Sequence, residues 1–158
     1  MQAIAAAVHS HVGLMHATMA FFNSWCDRTP GVVIGATGPV DAMKANHHGS
    51  WDANSIPFLA ALQPRVIVIA TRADGHPAVN AYKRMTSDAV WPGQRDIFIT
   101  HLSDATAKTT YGVSAAASTQ GHVVIRVEKG GARYRVFVLD DADETMKIKA
   151  VFGPYASR

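Results

Sequence analysis

The stretch MKANHHGSWDANSIPFLAALQPRVIVIATRADGHP, Met43 to Pro77, sets His47 and His48 beside Gly49 and Ser50 and returns a third histidine, His76, in a Gly-His-Pro turn. Neutral imidazole is the commonest protein ligand for zinc, and catalytic zinc sites gather such ligands on loops while leaving one position open for water. Adjacent side chains point in different directions, so one histidine of the pair can bind a metal while its neighbour supports it or meets a substrate. Gly49 allows close approach of the backbone. The same spacing also describes a polar loop with two solvated histidines, and that reading stands beside the first. Ser50 next to His48 does not make a nucleophile and base, because no strand-turn-helix elbow or orienting acid accompanies it.

The elements that must position these residues can be read from periodicity. Val40 to Ala45 reads as a short strand leading into the histidine loop, and Ser55 to Leu62 as a helix with Ile56, Phe58, Leu59 and Leu62 on one face, capped from Ser50 to Asn54. PRVIVIA, Pro64 to Ala70, is a continuous β-branched run and reads as a strand buried on both faces. A second helix is expected from Ala78 to about Val90, just after Pro77, and another strand from Arg95 to Leu102. DATAKTTYGVSAAAS has few large apolar residues, and no element is assigned to it. GHVVIRVEKGGARYRVFVLDD alternates on either side of Lys129-Gly130-Gly131, the pattern of a β-hairpin, and TMKIKAVFGPY reads as a last edge strand ended by Gly153-Pro154. Upstream, Ala3 to Trp25 reads as a helix and Gly31 to Pro39 as a short strand and turn.

VDAMKANHHGSWDANSIPFLAALQPRVIVIATRADGHP resembles the late part of metallo-β-lactamase-fold hydrolases, especially the branch that includes the hydrolase domain of the bacterial DNA-uptake channel protein. There an apolar segment ends in a His-His-Gly-Ser loop, followed by a helix over a Pro-initiated strand, a Gly-His-Pro turn and another helix. The resemblance covers Val40 to about Met85 by motif and Arg95 to Arg158 by strand order. It implies an α/β fold, half of an αββα sandwich with helices early and mainly antiparallel strands late. Residues 1–39 would be an atypical N-terminal helix and short strand, and 40–158 the C-terminal half of the hydrolase domain.

The resemblance also implies a chemistry. The family's late metal-ligand histidine falls on the His47 and His48 pair, His48 and His76 take catalytic positions, and Gly49 and Ser50 complete the loop against substrate. One or two zinc ions would turn bound water into hydroxide for attack on an ester, lactam or phosphodiester. The family's upstream H-x-H-x-D-H loop has only a superficial echo in HSHVGLMH, with His9, His11 and His16 but Gly13 and Leu14 where an aspartate and a histidine belong. No Gly-Asp ligand occurs in VVIGATGP, and Asp41 comes late and faces the wrong way. The expectation is therefore a hydrolase fragment with an incomplete site, and the alternative a non-catalytic binding or dimerisation domain built on the same fold.

Composition bounds the remaining classes. A chain of 158 residues with 48% hydrophobic and 17% charged residues is long enough for one domain with a real core. The net charge of +3 comes from scattered Lys and Arg, and Arg126, Lys129, Arg133 and Arg135 read as the solvated outer face of a hairpin, which argues against a nucleic-acid partner. Cys26 alone excludes an internal disulfide and fits a reducing, cytoplasmic setting. The apolar first 25 residues lack the flanking charges and cleavage site of a signal peptide and carry three histidines, so no membrane partner is expected. An exposed sheet would make a homodimer the simplest assembly. Trp51 and Trp91 read as packing or loop anchors rather than substrate platforms, and DDADE, Asp140 to Glu144, as a solvated turn without the glycine and distal glutamate of a calcium loop.

Overall fold

The computed structural model describes residues 38–158, which fall into two compact units, 38–120 and Gly121–Arg158. The helix expected over Ala3 to Trp25 and the strand expected from Gly31, together with His9, His11 and His16, lie outside the described residues.

The first unit alternates strand and helix: β1 Ala42–Lys44, α1 Ile56–Leu62, β2 Val66–Ile69, α2 Val79–Thr86, β3 Asp96–Ile99 and α3 Asp104–Thr109. The three strands form one parallel sheet in the order β1-β2-β3, with Met43 opposite Ile67 and Ile67 opposite Ile97. The run VIVI takes the centre because β-branched residues that are apolar on both faces need cover on both faces. Ser55 holds the N-cap position of α1 and Pro57 lies in its first turn, where a missing N–H costs nothing; Gln63, left-handed at φ 43°, ends the helix after Phe58, Leu59 and Leu62 are buried.

Helix α2 stops at Thr86, short of the expected Val90. At its end Thr86 Oγ1 donates to the Tyr82 and Lys83 carbonyls and Ser87 turns extended, at φ −81° and ψ 121°. Beyond it the Arg95 guanidinium donates to the carbonyls of Ser87, Trp91 and Gly93, pairs with Asp88 and lies 4.1 Å from the centre of the Trp91 ring. Trp91 is buried, whereas Trp51, on the loop after the histidine pair, is 70% exposed. The segment left unassigned holds α3, where Ser103 Oγ accepts from the Thr106 amide, and a 3-10 turn at Val113–Ala115. The chain then runs beside β3, with the Ala117 amide on the Ile97 carbonyl and the Ile99 amide on the Ser118 carbonyl, both at 2.8 Å.

The second unit is an antiparallel sheet of β4 His122–Val127, β5 Arg133–Leu139 and β6 Ile148–Ala156, in that order. The hairpin forms as expected around Lys129-Gly130-Gly131. Strand β6 is not ended by Gly153-Pro154 but runs through it to Ala156. It is an edge strand, where a residue without an N–H is tolerated, and a register shift between Tyr134 and Val136 absorbs the irregularity. Tyr134, Val136, Val138 and Tyr155 are buried on one face, with the two tyrosine rings stacked at 5.1 Å.

The fold class is thus α/β, with two three-stranded sheets among the described residues, one parallel and one antiparallel. Among the described residues the helices come early and the late strands are antiparallel, as expected, with the helices of 38–120 alternating with parallel strands. Among the described residues no helix is long and apolar enough to cross a membrane.

Candidate functional site

The carboxyl ends of the parallel strands carry the loops on which the three histidines stand, the place where open α/β sheets hold their ligands. Beyond β1 the chain enters a tight 3-10 turn, Asn46–Gly49, with His47 at φ 47° and His48 at φ 57°, followed by Gly49 at φ 77°. Two successive non-glycine residues in the left-handed region cost about 1–2 kcal/mol each, and such strain persists only where the surroundings enforce it.

Asn54 enforces it from inside. Its fully buried side chain accepts from the Asn46 amide at 2.9 Å and donates to the Asn46 carbonyl at 3.0 Å, closing the loop like a rung. Arg84 on α2 clamps the outer strand of the loop, donating to the carbonyls of Trp51, Ala53 and Asn54 at 3.0, 2.7 and 3.0 Å. The Ser50 amide donates to the His47 carbonyl at 2.8 Å.

The loop after β2 brings His76. Thr100, at the end of β3, accepts from the Thr71 amide at 3.0 Å and donates to the Thr71 carbonyl at 2.9 Å, and the buried Thr106 and Thr110 bind the Gly75 amide and the Pro77 carbonyl. The two loops lock together at Gly49: its carbonyl accepts from the Ala78 amide at 2.9 Å, and a Cβ on it would stand 3.0 Å from Pro77 Cβ. His76 and Pro77 are joined by a cis peptide bond.

The outcome is a near-equilateral triangle of imidazoles, with ring centres 6.3 Å apart for His47 and His48, 6.4 Å for His47 and His76 and 6.2 Å for His48 and His76. Each ring has a different partner on its Nδ1. His48 Nδ1 donates to the Ala70 carbonyl, and since a carbonyl only accepts, the lone pair of the neutral ring lies on Nε2. His47 Nδ1 stands 3.3 Å from Asp52 Oδ1. His76 Nδ1 is buried and has no hydrogen-bond partner among the described residues. The Ser50 hydroxyl, foremost, with a backbone hydrogen bond and the His47 ring, holds the Asp52 carboxyl below the usual carboxylate range, against the opposing effect of burial.

His48, His76, Thr71, Arg72 and Thr100 line an open pocket of about 460 Å³. Gly49 and Ser50, expected against substrate, are both buried and stand outside that lining; Gly49 packs on Pro77 and Ser50 bonds to Asp52. Asp41 lies before β1, at the opposite end of that strand from His47 and His48, and does not join them. Asp52, Asn54, Arg84 and Thr100 were not singled out in the sequence; only the positions of Asp52 and Asn54, close after the histidine pair, could have drawn attention to them.

Imidazoles sharing one tetrahedral zinc, at Zn–N bonds of about 2.0–2.1 Å, have ring centres roughly 5 Å apart. The observed triangle is about 1 Å wider on each side. Among the described residues no group of three or more His, Cys, Asp or Glu side chains is placed closely enough to hold a metal ion as it stands. The three imidazoles are donors of the type zinc takes, set wider apart than a shared ion requires, and the buried His76 Nδ1 has no hydrogen-bond partner among the described residues. Comparison with protein-family models, with curated proteins and with solved structures found no match to this chain.

Proposed function

We propose that this chain carries a zinc-dependent hydrolytic site of the metallo-β-lactamase kind, acting on an ester, lactam or phosphodiester. The observation that carries the reading is the triangle of His47, His48 and His76 at the carboxyl ends of a parallel sheet, with one of its nitrogens buried and unpartnered. Bound zinc supplies water of lowered pKa and polarises the scissile group. His48, its tautomer set by Ala70, offers Nε2 as ligand or proton acceptor. His47 serves as the second holding residue, and His76 completes the set at the pocket wall. Exposed Arg72 gives that pocket a cation and so favours substrates with a negative charge near the reacting centre.

The test is zinc per chain after purification without chelator, on the wild type and on His48→Ala, followed by turnover of an aryl ester, a chromogenic β-lactam and a chromogenic phosphodiester. Near-stoichiometric zinc that is lost in the variant, with zinc-dependent turnover of one probe, supports the reading. No zinc in either protein would sink it.

A second reading, a non-catalytic binding or dimerisation domain, draws on the outer face of the second sheet. There Val124, Phe137 and Val151 stand in one cross-strand row, with the two valines 43% and 47% exposed. It is distinguished by self-association that is indifferent to chelator.

A further inference from the structure

The three imidazoles differ in what holds them, and only His47 faces a carboxylate. Asp52 Oδ1 lies 3.3 Å from His47 Nδ1, and the two side chains are 46% and 54% exposed. An isolated pair this exposed contributes little to stability and would not persist on its own attraction. Here the backbone brings the groups together. The amide of Ser50 is bound to the His47 carbonyl, and that of Ala53 to the Ser50 carbonyl at 3.1 Å. Arg84 fixes the carbonyls on either side of Asp52, and the Asn46–Asn54 rung closes the whole turn. The left-handed conformation of His47 is part of the same arrangement. Strained backbone and several hydrogen bonds, the two between Asn46 and Asn54 buried, thus converge on a contact with almost no stabilising value of its own. That calls for a role other than stability.

The chemistry of the contact supplies one. A carboxylate only accepts, so it selects the His47 tautomer with hydrogen on Nδ1 and the lone pair on Nε2, and it limits rotation of the ring. Metal-binding histidines characteristically donate their second N–H to a carboxylate or carbonyl, which orients the ring and raises its basicity. His48 has a carbonyl in that place, His47 a carboxylate, and His76 neither.

We propose that Asp52 is a positioning residue for the site: it fixes the tautomer and direction of His47 so that Nε2 is presented to a divalent transition metal shared with His48 and His76. This rests on the metal-binding reading above, and the experiment separates the two. Zinc affinity of the full chain is measured by competition with a chromophoric chelator for wild type, Asp52→Asn, Asp52→Glu, His47→Ala and the His47→Ala/Asp52→Asn double variant. Asp52→Asn is expected to bind zinc roughly 10–100-fold more weakly, the usual effect of losing such a partner, with an unchanged urea midpoint. Asp52→Glu recovers part of the loss, and in the His47→Ala background Asp52→Asn has no further effect.

The metal-free protein gives an independent readout, the His47 tautomer from long-range nitrogen–proton NMR correlations above the imidazole titration range. Wild type is expected to show hydrogen on Nδ1, and Asp52→Asn a shift toward the Nε2–H form. Wild type that binds no zinc overturns the metal reading, while the tautomer still decides what Asp52 does to His47. Wild type that binds zinc as tightly as Asp52→Asn, or a His47 already protonated on Nε2, overturns the proposal for Asp52 alone.

Discussion

His47 and His48 occupy backbone conformations that L-residues avoid, and the side chain that holds them there is one asparagine. Asn54 is itself left-handed, at φ 61°, a conformation asparagine tolerates better than most residues, and its amide meets both backbone groups of Asn46. Asn54→Ala leaves two buried backbone groups without partners and puts alanine at an unfavourable φ; the expected cost is about 2–4 kcal/mol, read from urea unfolding. A loss below about 0.5 kcal/mol, the scatter of neutral surface changes, would mean the loop is held some other way. His76 presents the opposite case. Its buried, unpartnered Nδ1 is a cost in the metal-free protein, so His76→Leu is expected to leave the urea midpoint level or raise it, by up to about 1 kcal/mol, while zinc binding is lost. A His76→Leu protein that is clearly less stable without metal would show that the imidazole packs for structure.

At the scale of elements, the site depends on two loops that meet. Gly49 and Gly75 share a φ of 77°, but a Cβ on Gly49 would press on Pro77 whereas one on Gly75 would meet nothing within 4 Å. Gly75→Ala therefore measures the backbone strain by itself, about 1 kcal/mol. Gly49→Ala adds the collision and is expected to cost roughly 1–3 kcal/mol more and to weaken zinc binding, because it separates the His47–His48 loop from the His76 turn. Equal losses from the two changes would deny that the loops are coupled at this point. The glycines were legible in the sequence because each sits beside a histidine in a turn, and so was the VIVI strand, because a continuous β-branched run has few other fates. The clamps were not legible. Thr100 reaches Thr71, Thr106 reaches Gly75 and Arg84 reaches the loop after His48, all across about thirty residues of chain. A threonine's one hydroxyl carries no periodic signal. Helix α2 ends at Thr86 rather than Val90, where the Thr86 hydroxyl turns back on the Tyr82 and Lys83 carbonyls, a contact that periodicity does not signal.

For the whole molecule the open question is whether the exposed apolar face of the second sheet competes with the histidine site as the seat of function. The row Val124, Phe137 and Val151 is adjoined by Leu139 opposite Ile148, the latter 60% exposed, and beside it Arg126 faces Arg135 across the strands. Like charges placed opposite one another disfavour pairing, and Glu128 offsets this by binding both Arg135 and Arg133. Magnitude decides between the readings. Three strands about 4.8 Å apart and about 20 Å long present roughly 300 Å², against about 800 Å² per partner in a stable, specific interface. Face-to-face pairing through this sheet alone should therefore be weak, and the wild type is expected to sediment as a monomer at about 10 μM. The double variant Val124→Lys/Val151→Lys should then change neither its sedimentation nor its zinc content. A tight dimer at that concentration, broken by the two lysines and unaffected by chelator, would instead move the function of this chain from its histidines to its second sheet.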